Sequence, residues 1–229
     1  MQNVRSRLVE RVAAADTFAM PQKRSRPVHV TRLRGRRASD KLDPNATYLG
    51  NQLLVAMPSL KDSQFAGTVT LLCEHSERGA LGIVLNQPLK MTLAELLAHL
   101  KLPPGAPGAL EQPVLRGGPV QTDRGFVLHR PLRDFESTLR ISDTLHVTTS
   151  RDVLVAMAAG EGPSQAVVAL GYAGWEAGQL EAEIRENAWL TAPVDDRLVF
   201  DIPFAERWHA AAGLLGIELS RLAPTAGRA

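Results

Sequence analysis

The residues of this chain that are best suited to chemistry are its single cysteine and the histidines that can approach it. Cys73 and His75 lie two positions apart in an apolar run. A thiolate paired with a histidine base can act as a nucleophile, and an accessible thiolate can sense oxidants. Two residues apart on a strand, their side chains share a face but lie about 7 Å apart, farther than a nucleophile–base hydrogen bond of about 3 Å. His129, on another predicted strand, is therefore the alternative base.

A structural role for these residues is the alternative to catalysis. A free cysteine is among the most buried residue types, and a histidine at a strand end often bonds to nearby backbone. One cysteine excludes an internal disulfide and a cysteine-based metal cage. The histidines have no HxH or HxxxH spacing that would place two ligands on one face. We therefore predict no metal site and no cofactor.

Five residues in three places along the chain are candidates for contact with a ligand. Gly117 and Gly118 precede a proline and lack the spacing of a phosphate loop, so they predict a tight turn or a close backbone approach. Gly174 and Trp175 fall between a predicted strand and a predicted helix, where freed amides can bind an anion. Packing is the alternative for both. Asn86, at the end of a predicted strand, is expected in a turn and is a further ligand candidate.

The first 47 residues differ in charge from the rest of the chain. They hold 11 Lys/Arg and 4 Asp/Glu, a balance of 11 − 4 = +7, whereas residues 48–229 hold 15 and 20, a balance of −5. The composition of residues 1–47 predicts a disordered basic extension ahead of a domain at 48–229. Its arginines can bind nucleic-acid phosphates, and the candidates are Arg32, Arg34, Arg36 and Arg37. The alternatives are a solvated tail, or translation that starts at Met20 or later.

Targeting signals are not apparent in the sequence. No stretch reaches the roughly 18 consecutive apolar residues of a membrane span. The amino-terminal region lacks the apolar core of a secretory signal, about 7–15 residues long. We therefore predict a cytoplasmic protein that does not enter the membrane.

The elements that must position these residues are read from apolar patterns and capping signals. Helices are predicted from two capping boxes, Thr92 with Glu95 and Thr149 with Asp152, and at 179–187 and 205–215. On the third helix, Glu181, Glu183 and Glu186 are expected to face solvent. Strands are predicted at 53–57, 68–75, 80–86, 114–116, 125–129, 139–148, 166–171 and 196–202. This irregular order predicts a compact single α+β domain with a mixed, partly barrel-like sheet flanked by helices.

Three blocks of sequence, in order, resemble the YqgE/AlgH family. The first contains MPSLKDSQF and LLCEHSERGALGIVLNQP, and the second is LRGGPVQTDRGFVLH at residues 115–129. The third begins DVLVAMAAGEGPSQAVVALGYAGW at residue 152 and is followed by FDIPFAERW at 200–208. The resemblance covers about residues 50–208 and implies a compact cytosolic bacterial α+β protein of unassigned activity. Some members are described as regulators of exopolysaccharide gene expression. Residues 1–47 have no counterpart in the resemblance.

Three hypotheses about function follow. The first is a non-enzymatic protein that binds a small ligand or an unidentified protein partner, with a regulatory role such as transcriptional control. The second is a cysteine-dependent enzyme or redox sensor that uses Cys73 with His75 or His129. The third is nucleic-acid association through the basic extension. No helix-turn-helix spacing, zinc-finger pairing or RNA-binding aromatic motif in the sequence supports transcriptional control.

Overall fold

The described part of the protein is one curled, mixed sheet with helices on both of its faces. The structure is a computed structural model and describes residues 49–102 and 110–222. The strands are β1 (Gln52–Ala56), β2 (Val69–Ser76), β3 (Gly79–Val84), β4 (Pro88–Thr92), β5 (Pro113–Arg116), β6 (Val120–His129), β7 (Thr138–Arg140), β8 (His146–Thr148), β9 (Ala166–Glu176) and β10 (Trp189–Pro193). They are ordered β10-β1-β2-β3-β9-β6-β8-β7, and β4 pairs with β5, which also pairs with β9. The α+β prediction is thereby confirmed.

The helices divide the core into an inner and an outer part. They are α1 (Leu93–His99), α2 (Arg151–Ala158), α3 (Gln179–Arg185), α4 (Asp196–Phe200), α5 (Arg207–Gly213) and α6 (Leu219–Leu222). The inner core joins both halves of the sheet to α4, α5 and α6, and it includes Leu53, Leu71, Ile83, Phe126, Leu128, Val147, Leu198, Ala211 and Leu219. On the outer face, α1 and α2 cover β5, β6 and β9, while α3 covers β1, β2 and the end of β9.

A buried arginine attaches the carboxy-terminal helices to the sheet. Arg207 is only 2% exposed, and its guanidinium donates to the carbonyl oxygens of Leu85 at 2.7 Å and Ile202 at 2.9 Å. It also lies over the ring of Phe204, 4.3 Å from the centroid. Burial lowers the pKa of Arg207 to about 10, so the group stays charged at neutral pH. Two backbone acceptors and an aromatic face together offset the cost of burying this charge.

Two predicted strands are wrong, and local side-chain hydrogen bonds explain why. Residues 196–202 hold α4, because the carboxylate of Asp195 caps it by accepting the N–H of Arg197 at 2.8 Å. The segment 139–148 is a hairpin of two short strands, since the hydroxyl of Ser142 accepts the N–H groups of Thr144 and Leu145 and forms the turn. Propensity alone does not detect such competition from polar side chains.

The capping predictions were correct for one helix only. At α1, Thr92 and Glu95 form the complete capping box. At α2, the N-cap is Ser150 rather than Thr149, and it caps no helix N–H. Its hydroxyl instead donates to Asp152 at 2.6 Å and accepts the N–H of Ser137 at 3.0 Å. The hydroxyl thus links the start of α2 to the chain before β7. Strands β4 and β10 were not predicted.

Strand β9 is the centre of the sheet, with β5 and β6 on opposite edges. Ala169 pairs with Leu115 of β5 and also with Phe126 of β6. The connection from β5 to β6 must therefore cross β9, and it does so at Gly117 and Gly118. A Cβ on Gly117 would lie 2.3 Å from the oxygen of Gly171, and a Cβ on Gly118 would lie 2.1 Å from the backbone of Tyr172. The crossing thus requires glycine at both positions.

Candidate functional site

An open cleft lies at the end of the sheet where β6 and β9 separate. Its volume is about 520 Å³, within the range of about 300–1,000 Å³ typical of small-molecule sites. Residues of β2, β3, β6, β9 and the β2–β3 turn line it: Glu74, Ser76, Arg78, Gly79, Ala80, Leu81, Gln121, Arg124, Tyr172, Gly174, Trp175 and Glu176. Gly174 and Trp175 were ligand candidates from the sequence.

A bulge in β2 directs one acidic side chain into this cleft. Leu72 pairs with Gly82 and Glu74 with Leu81, so Cys73 is an extra residue on β2. Glu74, Leu81 and Gly174 consequently form one row across three strands. Glu74 is 8% exposed, and Gly174 has no side chain, so the row leaves space over Gly174. The bulge thus combines a mostly buried carboxyl group with room for a ligand.

The opposite wall is formed where β6 departs from its partner. Between the pairs Val120–Tyr172 and Gly125–Leu170, residues 121–124 of β6 face Gly171 alone. Gln121 adopts a φ of 44°, a strained conformation that places this segment away from the ladder. It contributes Gln121 and Arg124 to the cleft.

The same bulge separates Cys73 from His75, so the prediction that they share a face is wrong. Cys73 packs in the inner core with Leu71 and Leu81. His75 pairs with Ala80, which packs on the outer face. Burial raises the pKa of the Cys73 thiol, and the neighbouring Glu74 raises it further. A thiol in this environment is poorly ionised, and ionisation is what nucleophilic and redox chemistry require.

His75 has hydrogen bonds at both ring nitrogens. Nδ1 accepts the N–H of Leu49 at 2.9 Å, which places the proton on Nε2, and Nε2 lies 2.8 Å from Oε1 of Glu181. Glu181 therefore contacts β2 rather than facing only solvent. Glu183 also departs from the prediction, since its Oε2 accepts the indole N–H groups of Trp175 and Trp189 at 2.9 and 2.8 Å. These contacts attach α3 to the outer face of the sheet.

His129 belongs to a series of hydrogen bonds in the interior, at the other end of β6. It is fully buried; its Nδ1 lies 2.7 Å from the carbonyl oxygen of Arg130, and its Nε2 lies 2.8 Å from the hydroxyl of Thr148. Because a carbonyl oxygen can only accept, Nδ1 donates to Arg130; in the neutral ring, Nε2 then accepts from the Thr148 hydroxyl. The hydroxyl of Thr148 lies 2.8 Å from that of Thr138. The pKa of His129 is lowered, first by burial and also by His146, while the Arg130 carbonyl opposes the shift.

The remaining candidates from the sequence make backbone contacts. Asn86 accepts the N–H of Val69 at 3.0 Å and donates to the carbonyl of Gly67 at 2.8 Å. Gly117 accepts from Val84 and donates to Leu170, within the crossing described above. A ligand role for Asn86, Gly117 or Gly118 stays a prediction, and none of the three lines the cleft.

Gly174 and Trp175 line the cleft, but their predicted setting is wrong. They lie inside β9, which extends to Glu176, rather than in a loop before a helix. The Trp175 ring packs with Phe65 and Trp189 at centroid distances of 6.2 and 6.0 Å. Trp175 therefore has the packing role that was the alternative, and its neighbour Gly174 supplies open space.

Glu74, Arg124 and Tyr172 are among the cleft residues that the sequence did not single out as ligand candidates. Glu74 reads as a polar interruption in a strand, and Arg124 as a turn residue. The bulges in β2 and β6 and the crossing of β9 bring these residues together. No local sequence pattern indicates that arrangement. The glycines at 117, 118 and 171 were the one available signal of a close crossing.

The remaining predictions concern metals, membranes and the extension. Within residues 49–102 and 110–222, no three His, Cys, Asp or Glu side chains are grouped to hold a metal ion. None of the helices in these ranges is long and apolar enough to cross a membrane. Arg32, Arg34, Arg36 and Arg37 lie in the extension, outside the described residues.

Comparisons with known proteins identify the family and the fold. The family described as DUF179, AlgH-like, matches residues 53–220. A UPF0301 protein of Nitrosococcus oceani is 51% identical over 182 residues, covering 80% of this chain and 97% of the relative. One from Thioalkalivibrio sulfidiphilus is 54% identical over 179 residues, covering 78% and 96%.

Two solved structures have a similar fold. The solution structure of the AlgH protein from Pseudomonas aeruginosa has a TM-score of 0.66 and 49% identity, covering 83% of this chain and all of that chain. A crystal structure of a Corynebacterium diphtheriae protein has a TM-score of 0.61 at 22% identity, covering 80% and 94%, and it supports the fold alone. With the matched family and these relatives, the chain belongs to the AlgH-like family.

Proposed function

We propose that this protein is a non-enzymatic, cytoplasmic binding protein that holds a small ligand in the β2–β3–β6–β9 cleft and acts in regulation. The observation that carries the proposal is the cleft itself. It has a volume of about 520 Å³, the mostly buried Glu74 lines it, and it is open over Gly174. Small-molecule sites typically combine apolar walls with a few polar groups. Here Leu81, in the same row as Glu74, supplies apolar surface beside it.

The geometry supports binding over cysteine-dependent catalysis. The sheet separates Cys73 from His75, and the inner core surrounds the thiol. Both ring nitrogens of His75 and of His129 already have protein partners. Chemistry at Cys73 would therefore need the β2 bulge to open and a histidine to leave its bonds. The enzyme or redox hypothesis remains the alternative.

Nucleic-acid association through residues 1–47 is a second proposal, and it rests only on the charge difference of +7 against −5. If it is right, removal of residues 1–47 abolishes a salt-sensitive binding to DNA or RNA that depends little on sequence. Unchanged binding by the shortened chain would contradict it. This proposal treats 1–47 and 48–229 as separate functional units.

A steric block of the cleft tests the main proposal. A Cβ on Gly174 would approach Tyr172 Cε2 at 3.4 Å, an ordinary contact, so Gly174→Leu fills the cleft while respecting the backbone. Gly213→Leu is the matched control, because nothing lies within 4 Å of a Cβ there. A defined metabolite library is screened by thermal unfolding against the native chain and both variants. At least one compound is expected to raise the midpoint of the native chain and of Gly213→Leu, but not of Gly174→Leu.

The less invasive Gly174→Ala guards against a folding defect in the larger variant. It is expected to fold like the native chain and to reduce stabilisation by the same compounds in part. Equal stabilisation of all four proteins, or stabilisation of none, would contradict ligand binding in the cleft.

A further inference from the structure

We propose that the ligand of this cleft carries an oxyanion, a carboxylate or a phosphate, and that Arg124 and the hydroxyl of Tyr172 bind it. This inference rests on the proposed binding function and names its ligand class. It follows from donors on the β6–β9 wall of the cleft that the rest of the described protein leaves unused.

Arg124 is the central donor. It lies in the bulged segment of β6, is half-buried and lines the cleft. Across residues 49–102 and 110–222, its side chain makes no hydrogen bond, ion pair or ring contact. The other lining arginine, Arg78, already has an interaction. A half-buried guanidinium has five N–H donors in a planar fork, which matches carboxylate and phosphate in a bidentate geometry.

Tyr172 supplies a second donor in a fixed position. Its ring packs edge to face on the buried Phe126, with centroids 5.9 Å apart, and lies beside Gly174. Its hydroxyl has no hydrogen-bond partner among the described residues. Because the core holds the ring, ordering this hydroxyl on binding costs little entropy. Gln121, on the same segment as Arg124, adds a side-chain amide to this wall.

The acidic residues of the cleft restrict where the anion can lie. Glu74 is on the β2 wall and Glu176 is exposed at the end of β9. Two arginines and two glutamates balance in charge, so the cleft as a whole does not attract anions. The oxyanion must therefore lie on the β6 wall, next to Arg124, and the uncharged part of the ligand extends over Gly174 toward Leu81.

Three small aromatic probes test the ligand class by titration followed with NMR. Benzoate and phenyl phosphate carry the two oxyanions, and benzamide is the uncharged match of benzoate. Both anions are expected to bind in the millimolar range or tighter, and benzamide about tenfold or more weakly than benzoate. The ratio of the two anion affinities decides between carboxylate and phosphate.

Two matched variants assign the effect to Arg124. Arg124→Gln is expected to weaken both anions about tenfold and leave benzamide unchanged. Arg185→Gln, at an exposed position of α3 outside the cleft, is expected to bind all three probes like the native chain. Tyr172→Phe, which keeps the ring packing, is expected to weaken the anions by a smaller factor.

The inference is overturned if benzamide binds as tightly as benzoate, if Arg124→Gln binds both anions like the native chain, or if neither anion binds at millimolar concentration. The Gly174→Leu variant then shows whether only the oxyanion class is wrong or whether the cleft binds no ligand at all. A neutral probe or library compound displaced by Gly174→Leu would keep the cleft as a binding site with a different ligand class. Binding of every probe and compound unaffected by Gly174→Leu would overturn both.

Discussion

At one end of β6, His129 is bonded to another polar side chain in the interior, whereas at the Val120 end polar side chains face an open cleft. His129, Thr148 and Thr138 form a chain between regular strands, and its members are buried or half-buried. Arg124 and Tyr172 lie where β6 and β9 lose register, and their polar groups have no partner among the described residues. The two ends belong to the same pair of strands.

The two ends thus show polar groups in two roles: some stabilise the fold, and others are available to bind a ligand. A buried network whose members are all bonded adds to the specificity and stability of the fold. A polar group left unbonded at a cleft contributes little to folding and can bind a ligand instead. This difference also explains why His129, with both ring nitrogens bonded, is less suited to a site than Arg124 and Tyr172.

The largest expected effect concerns the thiol of Cys73, which lies next to Glu74 but on the core side of the β2 bulge. Because Cys73 is buried, a small thiol reagent should label the native protein at least about 1,000-fold more slowly than the unfolded chain. The measurement is the labelling rate across pH 5–9, with the same protein in denaturant as the control. Rapid labelling of the native protein would mean that the bulge opens, and it would favour the cysteine enzyme or redox hypothesis.

The β5–β6 crossing joins the two ends, and Gly117→Ala should break it. The new Cβ would lie 2.3 Å from the oxygen of Gly171, and backbone on both sides leaves little room for relaxation. We expect a loss of about 3 kcal/mol in the free energy of unfolding, measured with chemical denaturant. Gly213→Ala, in open space on α5, is the control and should be neutral or slightly stabilising. An equal effect of the two substitutions would refute the close crossing.

The free energy of unfolding should depend on pH through the two histidines at the His129 end of β6. Burial lowers the folded-state pKa of His129 and of His146 below the ordinary value of 6.5. The unfolded chain therefore binds more protons below about pH 6.5, and stability should fall with pH from there toward the folded pKa values. Each histidine contributes at most about 1.4 kcal/mol per pH unit. The free energy of unfolding is measured at pH 7.5 and 5.5.

Substitutions assign this pH dependence. His129→Phe should be less stable than the native chain at pH 7.5, because Thr148 loses a partner, but it should lose less stability on acidification. His209→Gln, which removes an exposed histidine, should keep the native pH dependence. The same loss of stability in His129→Phe as in the native chain would show that His129 does not titrate as a buried group.

The sequence predicted the regular end of the sheet better than the cleft. Residues 125–129 alternate between two buried faces, and apolar pattern alone identified that strand. The cleft depends on register shifts at Cys73 and at 121–124, which arise from pairing between distant strands and leave no periodic signal. The glycines at 117 and 118 did predict a close approach. That Gly171 lies opposite them follows only from the place of β9 between β5 and β6.

The smallest expected effect is at the open end, where Arg124→Gln should leave the fold nearly unchanged. Because Arg124 makes no side-chain bond within the described residues, we expect a change within about 0.5 kcal/mol in the free energy of unfolding. Arg207→Gln is the contrasting variant: it removes a buried guanidinium bonded to two backbone carbonyls, and it should cost about 3 kcal/mol in the free energy of unfolding. Denaturant unfolding of both variants under one condition gives the comparison. A large loss in the free energy of unfolding for Arg124→Gln would mean that Arg124 stabilises the fold, as the buried network does. Arg124 would then not be available to bind an anion in the cleft.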